Sequence, residues 1–220
     1  MSGKSSDNQE AVDRLEQQMP SLNHLEGSLR GKRELGKLLG AHAQPSGRGG
    51  QIADGYVRLV EKAVLEYQEA RTKHIAFTAN GFLDDLHRAQ DHFESCVQSV
   101  HRAILYLERL RSLGYRKADG ESFIPRPRDL EVLRDHVKTR VREMRDAAEH
   151  LDNDILDGKL SESTTVGIHL GWDKASLGEL QLSFADVARW IEQLHELAAP
   201  LSRVHLVTGP IPEAGERNDV

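Results

Sequence analysis

Apolar side chains recur every three or four residues along four long stretches of the chain, and this spacing predicts four amphipathic helices. They span about residues 52–72, 81–113, 127–158 and 183–199. Glycine and proline punctuate the pattern, because Gly158 closes the third stretch and Pro200 stops the fourth.

The third stretch carries the most regular pattern in the chain. A period close to 3.6 residues places apolar positions on one side of a helix. The sequence therefore predicts one continuous helix from near Pro127 to near Gly158, with a single apolar stripe facing the core. The stripe consists of Leu130, Leu133, Val137, Val141, Met144, Ala148, Leu151 and Ile155.

Between the third and fourth helices the apolar period changes from about four to two. Alternating side chains occur in TTVGIHLGW and again in GELQLSF, and DKASLG between them provides a turn. We predict a short β-hairpin, or a pair of extended segments, over residues 164–184. It can serve as a flap over one end of the bundle or as a lip for a substrate or partner. Its inward positions are Val166, Ile168 and Leu170, then Leu180, Leu182 and Phe184.

These elements predict an all-α domain, an antiparallel four-helix bundle over residues 51–200 with an extended insertion before the last helix. Residues 1–50 are polar and end in GAHAQPSGRGG, so we predict a partly disordered arm with short helices near 8–18 and 28–39. Residues 201–220 are predicted to be a flexible tail.

Composition narrows the class of protein. No apolar run approaches the roughly 20 residues that span a bilayer, and MSGKSSDNQE lacks the apolar core of a signal peptide. We therefore expect a cytoplasmic protein with no membrane contact.

The net charge is −6, so nucleic-acid contact requires a local basic patch. The only cysteine, Cys96, excludes an internal disulfide and is expected to pack in the interior.

Carboxylate-x-x-His pairs raise the alternative of a metal-binding bundle. Asp84 and His87 form one such pair, and Glu192 and His195 form another. Their positions on the helices point away from the predicted apolar stripes, so we expect no metal and no cofactor. His101 and its neighbour Arg102 are expected to be surface residues.

Arg145 and His150 form an Arg-x4-His pair on the third helix. The spacing by itself is weak evidence, since a chain with this many arginines and histidines holds roughly one such pair by chance. The position of the pair on the helix is stronger evidence. Arg145 is predicted to point about 80° to one side of the centre of the apolar stripe, and His150 about 140° to the other side. The pair is therefore solvated or meets something outside the protomer.

A basic track leads to the pair. Arg134, Lys138, Arg142 and Arg145 follow one another at spacings of 4, 4 and 3 along one flank of the predicted helix. Positive charges at this spacing are suited to contacts with the phosphates of RNA, and we predict that role for the first three. They are equally suited to salt bridges within the helix, such as Arg145 with Glu149.

The segment RDAAEH, Arg145 to His150, resembles the Arg-(Asn, Asp or His)-x3-His signature of the HEPN domain superfamily. Members of that superfamily are small helical bundles found in bacterial defence and toxin–antitoxin modules, and the signature lies on a late helix. The resemblance covers six residues in sequence and about residues 52–200 in architecture. The N-terminal arm and the 164–184 insertion are departures from the family pattern.

This resemblance implies a metal-independent endoribonuclease with a composite site. Two Arg-His pairs would face each other across a homodimer, with His150 as acid or base and Arg145 neutralising charge on the phosphate. Asp146 would orient one or both of them. A protein antitoxin is the implied partner. The alternative is a non-enzymatic helical module for protein interaction or dimerisation, which uses the same helix face to dock a partner.

Overall fold

The computed structural model describes residues 3–25, 27, 29–38, 47–114, 124, 129–158 and 167–202. Helices dominate this part of the chain, and a small antiparallel sheet precedes the last helix, so the predicted mostly helical class is confirmed in broad terms. The helices are α1 (Gly3–Gln18), α2 (Leu29–Leu38), α3 (Gly47–Asn80), α4 (Leu83–Ser112), α5 (Asp135–Glu149), α6 (Leu151–Leu156) and α7 (Phe184–Ser202), with 3-10 turns at Asn23–Leu25 and Glu131–Leu133.

The long helices α3 and α4 form the central pair. Gly81 adopts the left-handed conformation (φ +73°) that favours glycine, and its N–H bonds to the Phe77 carbonyl at 2.7 Å. Only Gly81 and Phe82 separate the two helices, so α4 folds back antiparallel along α3. The predicted helices are confirmed, and α3 is longer at both ends. Facing side chains buried between them include Tyr56, Val60, Ala63, Phe93, Val97, Val100 and Ile104.

The last helix, α7, runs antiparallel to α3. The Tyr56 hydroxyl donates to the Leu194 carbonyl at 2.7 Å, and the Tyr67 hydroxyl donates to the Phe184 carbonyl at 3.3 Å. The prediction that Pro200 stops this helix is wrong by half a turn, because Pro200 lies inside it and Ser202 is its last residue. The rest of the predicted tail lies outside the described residues.

The N-terminal segment is packed rather than loose in its described part. Both predicted short helices exist, as α1 and α2, and Leu15, Met19 and Leu22 have no exposed surface. The Asn8 amide also donates to the Ala79 carbonyl at 3.1 Å. We predicted a loose arm because residues 1–50 are polar on average. Burial of these few large apolar side chains is nevertheless enough to pack the segment against α3.

Arg33 ties three helices together. Its side chain is 2% exposed, and it donates to the Asp54 carboxylate on α3 and to the Leu201 carbonyl on α7. A third donation reaches the Gly50 carbonyl at 3.3 Å. A buried guanidinium is tolerated because these oxygens satisfy its donors, and the N-terminal segment is thereby joined to the C-terminal end of α7.

The predicted continuous third helix is wrong. Residues 129–134 are a 3-10 turn followed by extended backbone, α5 begins at Asp135, and the helix breaks at His150 (φ −106°, ψ 8°) before α6. The start predicted at Pro127 lies outside the described residues. Val137, Val141 and Met144 are buried as predicted, but Ile155 is 46% exposed. The segment EHLDND contains residues with weak helix propensity, which permits the break.

The insertion forms a three-stranded sheet rather than a hairpin. Its strands are β1 (His169–Leu170), β2 (Lys174–Leu177) and β3 (Leu180–Ser183), in the order β1-β2-β3. The segment DKASLG, predicted to be the turn, supplies the central strand instead, and Gly178 (φ +59°) forms the tight turn to β3. The predicted inward positions Ile168, Leu170 and Leu182 are buried, whereas Val166 lies outside the described residues.

Candidate functional site

Arg145 lies on the flank of α5, beside the buried Met144 that faces the core. Its side chain is 29% exposed and is held by two carboxylates of its own helix. It donates to Asp146, and its Nε lies 3.0 Å from Glu149 Oε1. The predicted intrahelical pair with Glu149 is therefore present. An incoming phosphate would have to compete with both carboxylates for the guanidinium.

His150 caps the C-terminal end of α5 instead of lying within a helix. Its N–H donates to the Asp146 carbonyl at 3.0 Å, and its side chain is exposed. The predicted angle of about 140° between the His150 side chain and the centre of the apolar stripe assumed a continuous helix. Because the helix breaks at His150, that prediction is wrong. Among the described residues, no hydrogen bond or ion pair joins Arg145 to His150. The Asp146 carboxylate accepts from Arg145, whereas the Asp146 carbonyl accepts only the backbone N–H of His150, in the ordinary i to i+4 pattern of the helix.

His101 is a neighbour that the sequence reasoning missed. We expected it at the surface, yet only 9% of it is exposed, and its Nδ1 has no hydrogen-bond partner among the described residues. Burial lowers the pKa of His101 and nearby Arg145 lowers it further, while Asp146 and Glu149 oppose this. A signal was available, since His101 stands four residues after Val97 and three before Ile104 in the α4 stripe.

A groove of about 280 Å³ lies between α4 and α5, and His101 is one of the residues that line it. It carries charges of both signs, so it is not a purely cationic channel. His101 lies at its base and Arg142 at its edge. The lining residues are His101, Ile104, Leu105, Glu108, Asp135, Lys138, Thr139 and Arg142.

The predicted basic track is only partly brought together. Lys138 and Arg142 both line the groove, but Arg134 precedes α5 on extended backbone and is not among the lining residues. Lys138 is held at 2.8 Å by Glu108 and at 2.8 Å by Asp135, and these hydrogen bonds raise the pKa of Lys138. Its charge is therefore largely balanced, and Arg142 is the track residue best placed to meet a phosphate.

The carboxylate-x-x-His pairs are separated from each other in the structure. Asp84 and His87 are exposed near the start of α4, whereas Glu192 lies 3.3 Å from the His24 ring. Burial lowers the pKa of His195, with Glu61 opposing. Within the described ranges, no group of three or more histidine, cysteine or acidic side chains is arranged to hold a metal ion.

No protein-family model matches this chain, and the chain matches neither a curated protein nor a solved structure. The resemblance to the HEPN superfamily therefore stays a prediction from RDAAEH. In the part of the chain that the structure describes, no helix is long and apolar enough to cross a membrane.

Proposed function

We propose that this chain is a HEPN-like antiparallel four-helix bundle, built on α3, α4, α5 and α7, whose homodimer cleaves RNA without a metal ion. One observation carries the proposal. Arg145 and His150 lie at the same end of α5, and both reach the surface of the protomer rather than its core, with Asp146 accepting a hydrogen bond from Arg145. Two copies of this surface, related by a twofold axis, would supply two Arg-His pairs.

The chemistry suits these side chains. One His150 imidazole would take the proton of the ribose 2′-hydroxyl, and the 2′-oxygen would attack the adjacent phosphorus. The bond from phosphorus to the 5′-oxygen then breaks, and the second His150 would protonate that oxygen. The products are a 2′,3′-cyclic phosphate and a 5′-hydroxyl. Arg145 would neutralise charge on the phosphate in the transition state. One protomer offers one exposed histidine here, so acid and base together require two copies.

An apolar patch beside the pair supports dimerisation. Ile155 and Leu156 are 46% and 84% exposed, at the far end of α6, the short helix that follows His150. A second protomer covering these side chains would remove them from water and bring the two α5 ends together. The same contact would exclude water from the site and so strengthen the interaction of Arg145 with phosphate.

The deciding experiment incubates purified protein with single-stranded RNA in EDTA. The variants are Arg145→Ala and His150→Ala, with His87→Ala as the control, because His87 is an exposed histidine near the start of α4. We expect wild type and the control to cleave, and the two site variants to lose activity about 100-fold or more. Equal cleavage by wild type and His150→Ala, or none by either, contradicts the proposal.

A second candidate is a non-enzymatic helical module for protein interaction or dimerisation, with a protein antitoxin as one possible partner class. It is favoured by the two carboxylates that already neutralise Arg145. It predicts a dimer by analytical ultracentrifugation with no cleavage of RNA. Replacing Leu156 by Glu would then dissociate the dimer and leave the RNA assay unchanged.

A further inference from the structure

The outer face of α4 carries a second basic surface that the predicted track did not include. Arg102, Leu105, Tyr106 and Arg109 recur at the three- and four-residue spacing that places side chains on one side of a helix. Together with Arg58 and Leu59 of α3 they line a surface cleft of about 270 Å³. We call this the arginine cleft.

An aromatic ring packs closely against α3 in the cleft. Tyr106 lies directly over Gly55 of α3, where an added Cβ would overlap the ring. The Arg109 guanidinium lies over the same ring, 5.7 Å from its centroid. Glycine at position 55 therefore lets Tyr106 approach the backbone of α3 and hold Arg109 at the edge of the cleft.

Among the described residues, no acidic side chain balances the positive charge of the arginine cleft. Arg58, Arg102 and Arg109 are all exposed, and none of the described residues that line the cleft is acidic. Within the described residues none of the three has a salt bridge, in contrast to Lys138 and Arg145, each of which has two. Three guanidiniums around one cleft, on a protein of net charge −6, attract an anion.

The cleft and the α4–α5 groove lie on two sides of Leu105, which lines both. A strand long enough to cross this side chain would reach from the cleft towards Arg142 and His101. Along α4, Arg109 lies seven positions after Arg102, a rise of about 10.5 Å. An extended chain with repeated negative charges fits this arrangement better than a single small anion.

We propose that the arginine cleft binds the phosphates of single-stranded RNA and leads the strand to the α5 site. This rests on the proposed function for the choice of RNA. Stacking also favours it over an acidic peptide, since the exposed Arg109 guanidinium, held over the Tyr106 ring, offers a flat surface on which a base stacks. The guanidiniums supply the paired donors that phosphate oxygens accept.

Binding is measured by fluorescence anisotropy with a single-stranded RNA whose riboses are all 2′-O-methylated, so cleavage cannot occur. The test protein is the triple variant Arg58→Gln, Arg102→Gln and Arg109→Gln. The control removes the same charge from exposed arginines on other surfaces, as Arg14→Gln, Arg30→Gln and Arg88→Gln. We expect affinity to fall at least about tenfold in the test variant and little in the control. The slope of log affinity against log salt should fall by about 2 in the test variant.

Two further arms separate RNA from other anions. Tyr106→Phe should retain affinity and Tyr106→Leu should weaken it, because only an aromatic ring holds the Arg109 guanidinium by a cation–π contact. Polyglutamate of matched charge should compete poorly. Equal loss in test and control variants, or equal competition by polyglutamate, overturns the proposal. Because the RNA cannot be cleaved, a binding result stands even if the Arg145 and His150 variants show that the protein is not a nuclease.

Discussion

The Nε of Arg145 lies 3.0 Å from Oε1 of Glu149, one turn further along α5. Arg145 also donates to Asp146, so two carboxylates share its charge before any ligand arrives. Replacing Glu149 by Gln removes one competitor for the guanidinium and keeps the size of the side chain. We expect Glu149→Gln to bind 2′-O-methylated RNA more tightly, by about threefold, with a steeper salt dependence.

Glu143→Gln is the matched control for this variant, because it removes the same charge from an exposed position of α5 that has no salt bridge among the described residues. Anisotropy titrations at two salt concentrations measure both effects. An equal gain in the two variants would mean that net charge, and not release of Arg145, sets the affinity.

We expect Arg33 to contribute more to the stability of the packed N-terminal segment than any other polar side chain in that segment. Arg33→Met keeps much of the volume but removes the donors to Asp54, Leu201 and Gly50. We expect a loss of about 2–4 kcal/mol in the free energy of unfolding, towards the lower end because Asp54 is 32% exposed and can be hydrated. Urea denaturation measures it. Arg30→Met, exposed on the same helix, should change stability by less than about 0.5 kcal/mol.

His74 makes the fold sensitive to acid. It is 4% exposed, its ring meets Phe184 edge-on, and its Nδ1 has no hydrogen-bond partner in the part of the chain that the structure describes. Burial lowers the pKa of His74 from 6.5 to about 4, and nearby His169 adds to the effect. The neutral ring thus contributes stability that is fully present above pH 6.5 and is lost as pH falls towards 4, up to about 3 kcal/mol.

The variant His74→Leu isolates this effect. We expect it to weaken the decline of unfolding free energy between pH 7 and pH 4.5, measured by urea denaturation at each pH. His87→Leu, at an exposed position, should keep the decline of the wild type. Parallel curves for wild type and His74→Leu would show that other groups, such as the carboxylates, account for the acid sensitivity.

Cys96 should resist thiol reagents in the folded protein. It is fully buried in α4, and burial raises the pKa of its thiol, with Glu66 adding to the effect. Since thiolate is the reactive form, we expect labelling by a disulfide reagent only as fast as the protein opens. Because the chain has one cysteine, the signal is unambiguous. Rapid labelling without denaturant would contradict this packing, and labelling that accelerates with urea would support it.

The sequence alone determined most of the helices. Apolar side chains at helical spacing must face a core, so the pattern was sufficient for α3, α4 and α7 and for the buried Val137, Val141 and Met144 of α5. The alternation of apolar and polar residues predicted the extended segment before the last helix, but it did not predict the number of strands. In Lys174–Leu177 the only large apolar side chain is Leu177, and pairing on both edges was needed to make this segment a strand.

Only the tertiary structure decided the break at His150, the docking of α1 and α2, and the partners of each charge. A helix pattern gives the direction of a side chain only while the helix continues, so the predicted orientation of His150 ended with α5. Charge balance depends on neighbours distant in sequence, such as Glu108 beside Lys138. For the same reason Arg58 and Arg102, which are unremarkable in the sequence, meet only where α3 packs on α4.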